Sequence, residues 1–228
     1  MTRTNHPTGK LATQAFLLFA FGLLAFQANA KCTVDEHWLN LDYDHQIDYQ
    51  NADIETDFFL LTFSNSQKFC QYMERKGQTE KVKFQCQSPN NFGWVVHGLW
   101  GESKSAYIRG DNQGHPRFCR GDLPKLNLQT IKPYLCMSPG TRLLQGEWEK
   151  HGACDFPSAT AYFAKTQELY QRFQMPPADF NSKKAMLWMK KSHPQLKDKW
   201  MHLTKHEFGI CFNKQFNMMS CPKQRQRR

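Results

Sequence analysis

Phe92-Gly93-Trp94-Val95-Val96-His97-Gly98-Leu99-Trp100 is the stretch whose reading decides the fold. Aromatic and β-branched residues bounded by glycine form a buried strand. His97 then stands at the end of that strand, where a polar side chain meets solvent. A second apolar run, Asp57-Phe-Phe-Leu-Leu-Thr-Phe63, reads as another buried strand. Near the C-terminus, Glu207-Phe-Gly-Ile-Cys-Phe212, then Asn213-Lys214, then Gln215 to Cys221, reads as a β-hairpin.

Helical signals lie between these strands. Ser158 caps a stripe of Tyr162, Phe163, Leu169, Tyr170 and Phe173 that ends before Pro176-Pro177. Asn181 or Ser182 caps a second helix through Ala185, Leu187, Trp188 and Met189, which stops before His193-Pro194. Residues 101–125, polar and interrupted by Gly and two Pro, read as an irregular surface loop. Strands at both ends with helices between them predict an α+β fold, an antiparallel sheet with helices packed on it.

The first thirty residues read as a secretory leader. Arg3 and Lys10 precede an apolar stretch from Leu11 to Phe26, and Ala28-Asn29-Ala30 is a small-residue cleavage site. An uncleaved anchor is the competing reading, disfavoured because the apolar run is short. The organisation expected is therefore a signal peptide at 1–30, one domain at 31–222 and a basic tail at 223–228, with no stable membrane insertion after processing. The location expected is periplasmic or secreted.

All eight cysteines, Cys32, Cys70, Cys86, Cys119, Cys136, Cys154, Cys211 and Cys221, follow the leader. An even number in an exported chain argues for four disulfides, in any of 105 connectivities. Without a Cys-x-x-Cys pair a zinc site has little support, and no metal or cofactor is expected. The chain carries a formal +10, and the leader holds two of its basic and none of its acidic residues, leaving +8. Such a charge attracts RNA, and also an anionic membrane surface.

A second histidine-bearing segment, Gly146-Glu147-Trp148-Glu149-Lys150-His151-Gly152-Ala153-Cys154, complements the first. On a helix, Glu147, Lys150 and His151 share one face and Trp148 points away into the core. Taken alone, Glu147 and Lys150 read as an exposed ion pair. Taken with His97, the set holds two imidazoles able to act as acid and base, plus charged groups suited to a phosphorus centre, with no metal needed.

Phe92 to Trp100 resembles the first active-site segment of the ribonuclease T2 family, and Glu147 to Cys154 resembles the second. Phe58 to Cys70 resembles the family's first strand and Phe208 to Pro222 its last hairpin. The resemblance implies a metal-independent endoribonuclease acting on single-stranded RNA, as a monomer. The RNA 2′-hydroxyl is the nucleophile, and a 2′,3′-cyclic phosphate followed by a 3′-phosphate is the product. It makes His151 the base and His97 the acid of the first step, with Lys150 stabilising the phosphorane and Glu147 orienting a histidine or bonding a phosphate oxygen. It also implies base contacts from Trp100 and Glu102. Core packing for Trp100 and a solvated loop carboxylate for Glu102 are the competing readings. Gly146 departs from the family's histidine, a phosphate-binding group, and Gly101 from its proline. The family's disulfide arrangement joins Cys70 to Cys86, Cys119 to Cys154 and Cys211 to Cys221, leaving Cys32 with Cys136. A catalytically silent RNA-binding or signalling protein on the same fold is the first alternative. A basic protein acting on anionic membranes is the second.

Overall fold

The apolar run at 57–63 lies in the middle of the sheet. In the computed structural model, which describes Met1, residues 32–47 and residues 50–224, Phe58–Asn65 forms β1. It pairs antiparallel with β2 (Trp94–Glu102) on one side and β4 (Glu207–Phe212) on the other. Two short strands, β3 (His202–Leu203) and β5 (Met218–Met219), add to β4. The result is a five-stranded antiparallel sheet in the order β2-β1-β4-β3 with β5 beside β4. Because β1 is covered on both faces, its sequence is continuously apolar instead of alternating. Phe59, Leu61 and Phe63 enter the main core, while Phe58 and Leu60 pack with Tyr107, Cys211 and Cys221 on the opposite side.

Helices fill the connections: α1 (Ser66–Arg75), α2 (Lys83–Cys86), α3 (Lys104–Arg109), α4 (Leu128–Ile131), α5 (Thr141–Glu147), α6 (Ala153–Asp155), α7 (Ala159–Tyr170) and α8 (Ser182–Ser192). Their starts follow side-chain capping: Asn65 accepts from Lys68 N, Ser158 from Ala161 N and Asn181 from Lys184 N. From α7, Tyr162, Phe163 and Leu169 are buried in the main core. Four disulfides join Cys32 to Cys136, Cys70 to Cys86, Cys119 to Cys154 and Cys211 to Cys221. The fold is α+β.

Three local expectations change. β2 does not stop at His97 but continues to Glu102, because Gly98, Leu99 and Trp100 keep pairing with β1. Residues 101–125 are not wholly irregular: they contain the end of β2 and α3, whose Tyr107 caps the second apolar cluster. The C-terminal hairpin closes through residues 213–217, not a two-residue turn. Asn213 Oδ1 accepts from the backbone of Gln215 and Asn217, and Phe216 adopts φ 58°. That conformation is costly for a bulky residue, and stacking of Phe216 on Phe59 at 4.9 Å holds it.

The chain divides into Met1–Lys31 and Cys32–Arg228. The proposed leader, apart from Met1, and residues 225–228 of the tail lie outside the described residues. Among the described residues no helix is long and apolar enough to cross a membrane.

Candidate active site

The register between β1 and β2 explains where His97 points. Thr62 pairs with Gly98 and Phe63 with Val96, so His97 is the extra residue of a β-bulge. A bulge twists the strand and re-aims the side chain it carries. The imidazole, a third exposed, has Nδ1 2.5 Å from Glu207 Oε1 and Nε2 3.5 Å from Glu147 Oε1. Burial opposes its charged form, but the hydrogen bond to Glu207 and the charges of Glu147 and Glu207 prevail and raise its pKa. The charged form of His97 is therefore favoured more than in an ordinary imidazole.

The second segment supplies the opposite environment. After α5 the chain widens into a π turn over Trp148–Gly152 before α6, a local geometry frequent at functional sites. Trp148 is buried, while Glu147 and His151 project together with their side chains 3.9 Å apart. His151 is 4% exposed, and its Nδ1 has no hydrogen-bond partner. Burial, then the positive charges of Arg117 and Lys150, push its pKa well below the usual imidazole value. Two histidines on either side of one carboxylate are thus shifted in opposite directions, His97 toward the charged form and His151 away from it.

Glu147 ends α5 and is buried. Its Oε2 accepts a 2.7 Å hydrogen bond from Trp100 Nε1. Burial raises its pKa, and His97, the Trp100 bond and Lys150 act in the other direction. The close approach of β2 to this carboxylate requires glycine at 98. A Cβ there would collide with Glu147 Oε2 and lie 2.6 Å from Trp100 Nε1. Lys150 is exposed at the rim of the site, and its charge acts on His97, Glu147 and His151.

Trp100 belongs to the site. Its ring stacks on His151 with centroids 5.2 Å apart and planes 16° apart, and it meets His97 edge-on at 5.2 Å. One ring face is thus covered by the imidazole, and its N–H is held by Glu147. Glu102 is buried, unlike the solvated loop carboxylate of the competing reading. Its side chain is 4% exposed, with one oxygen 2.7 Å from Arg117 Nη2 and the other 2.7 Å from His115 Nδ1. These contacts tie residues 115–117 to the end of β2.

Gly146 is also explained locally. A Cβ on it would stand 3.0 Å from His45 Nε2, so an imidazole from the N-terminal segment already fills that space. His45 Nε2 bonds Arg142 O at 2.9 Å. Glu207 and His45 escape sequence reasoning because neither has a local motif; Glu207 is 110 residues from His97. Among the described residues, no group of three or more His, Cys, Asp or Glu is placed to hold a metal. His202 instead meets Tyr107 Oη at 2.7 Å.

The chain is thus an antiparallel α+β domain tied by disulfides, with two imidazoles converging on a buried glutamate. The chain belongs to the ribonuclease T2 family, whose model matches residues 56–180. It is 42% identical over 175 residues to a probable ribonuclease of Haemophilus influenzae, a match that spans 75% of this chain and 63% of that protein's length. Among solved structures it is similar to trichomaglin, described as a novel S-like ribonuclease (TM-score 0.53, 18% identity, 74% of this chain and 93% of that one). It is also similar to a variant of RNase MC1 in complex with 5′-UMP (TM-score 0.51, 15% identity, 75% and 95%). At these identities the structural likeness is one of fold.

Proposed function

We propose that the protein is an endoribonuclease that cleaves single-stranded RNA through its 2′-hydroxyl. The observation that supports this reading is the convergence of two imidazoles, with pKa values shifted in opposite directions, on Glu147. His151 Nε2 takes the 2′-proton as O2′ bonds to phosphorus. The bond from phosphorus to O5′ breaks, and His97, already protonated, gives its proton to O5′. The products are a 2′,3′-cyclic phosphate and a 5′-hydroxyl strand. Water then opens the cyclic phosphate with the roles reversed, leaving a 3′-phosphate and both histidines in their starting states.

Lys150 stabilises the developing phosphorane charge, and Glu147 orients the imidazoles and the Trp100 indole. Because His151 is so little exposed, the sugar reaches it only when the Trp100 ring moves aside. Substrate binding therefore includes that displacement, which frees the ring for stacking on a base. Glu207 holds His97 in place and keeps it charged. Four disulfides and the leader-like sequence fit a periplasmic or secreted enzyme.

The test is cleavage of a defined single-stranded RNA in excess EDTA by the oxidised protein and its His97→Ala and His151→Ala variants, with mass spectrometry of the ends. Cyclic phosphate and 3′-phosphate ends are expected, with the matching DNA intact and each variant slower by about 10²–10⁴-fold. Absence of cleavage by a folded, oxidised protein would leave the silent RNA-binding alternative.

A further inference from the structure

Beside His97 lies a cavity of about 890 Å³, walled by α1, residues 78–85, residues 140–143 and the approach to β4. Its lining is strongly one-signed. Lys68, Arg75, Lys81, Arg142 and Lys205 face it, and the one lining carboxylate, Glu207, is committed to His97. None of those five cations forms an ion pair among the described residues. Like charges gathered in one concavity repel one another and focus a positive potential that a polyanion relieves.

The helix that forms one wall has a pattern suited to such a ligand. Lys68, Tyr72 and Arg75 follow at i, i+4 and i+7, so they share one face of α1. The two cations are about 10 Å apart along the axis, far enough to meet successive phosphates. Between them is Tyr72, 49% exposed, with Lys76 Nζ 5.7 Å from its ring centroid, so the ring brings both an aromatic surface and a further cation. A positive groove with an aromatic platform is the general solution for binding a single strand without reading its sequence.

The groove also has a direction. His97 and Glu207 line it, whereas Glu147, Lys150, His151 and Trp100 do not. We propose that the groove is an extended subsite for the RNA on the 3′ side of the scissile phosphate, holding several nucleotides beyond the one that bears the leaving oxygen. The inference rests on the acid role of His97 argued above: the imidazole that protonates O5′ stands at the groove mouth, so the departing strand runs into the groove.

The experiment uses oligonucleotides with one ribonucleotide in an otherwise 2′-deoxy chain, giving a single cleavable bond. To a short parent, four nucleotides are added on the 3′ side or on the 5′ side. At low salt the 3′ addition is expected to raise kcat/KM by about tenfold or more, and the 5′ addition by less than about threefold. In a Lys68→Ala, Arg75→Ala variant the 3′ gain shrinks, and the log–log salt slope falls by about 1.4, two phosphates at about 0.7 each. Equal gains from both additions, or a 3′ gain unchanged in the variant, would overturn the proposal while cleavage itself upheld the enzymatic reading. If no substrate is cut, the enzymatic reading fails, and binding of the all-deoxy oligonucleotide by fluorescence anisotropy decides the groove. Weaker binding and a smaller slope in the variant uphold it as a strand-binding surface, and unchanged binding rejects it.

Discussion

His97 and Glu207 set the pH response of the site from two residues that no sequence motif connects. In the proposed mechanism, activity needs His151 neutral and His97 protonated. The rate therefore falls on the acid side as pH drops through the lowered pKa of His151, and on the alkaline side as pH rises through the raised pKa of His97. Glu207→Gln keeps the size of the side chain but removes the charge that favours imidazolium. His97 then loses its proton at lower pH, so the alkaline limb of kcat against pH moves down while the acid limb stays. The loss is greatest on the alkaline side. A uniform loss at every pH, with both limbs in place, would mean that Glu207 only supports the fold.

At the scale of elements, the site depends on how β2 lies against α5 and the π turn. Gly98→Ala puts a methyl group into the space of the Glu147 carboxylate and the Trp100 indole. We expect a loss of about 1–3 kcal/mol in urea denaturation, as for other overpacking changes. A fall in kcat/KM of about 10²–10³-fold is also expected as the Glu147 carboxyl is displaced from the two imidazoles. Near-normal activity with normal stability would show that Glu147 has freedom the packing denies. The same elements mark how far the chain can be read without its fold. β1 is legible because a central strand is apolar on both faces, and α7 and α8 because their caps and stripes are local. The aim of His97 is not, since its bulge exists only once Thr62 and Phe63 pair across to Gly98 and Val96. Six residues of α3 are too few for a helical period to stand out in a glycine-containing polar stretch. The two histidine segments stand out in the sequence, but the burial of His151 and the Glu207 partner of His97, which shift their pKa values in opposite directions, arise from tertiary structure. For Glu102 the sequence gives no sign of Arg117 and His115, which close on it only in the folded chain.

At the scale of the whole molecule, the disulfides divide stability from site geometry. Cys32–Cys136 spans 104 residues and fastens the beginning of the described domain to the segment before α5. Cys119–Cys154 spans 35. Chain-entropy arguments assign about 4.7 kcal/mol to a loop of the first length and about 3.8 kcal/mol to one of the second. The shorter loop stands closer to the chemistry: Cys154 follows His151 by three residues, and Phe118 N donates to Lys150 O at 3.0 Å beside Cys119. Replacing each pair with serine should therefore give opposite rankings. The Cys32→Ser, Cys136→Ser protein should lose more stability in urea yet keep more of its kcat where it is folded. The Cys119→Ser, Cys154→Ser protein should lose less stability and more kcat, because the π turn carrying Lys150 and His151 is no longer clamped. If one variant is worse on both measures, stability and alignment of the imidazoles share a single structural cause, and the separate role given to the Cys119–Cys154 clamp fails.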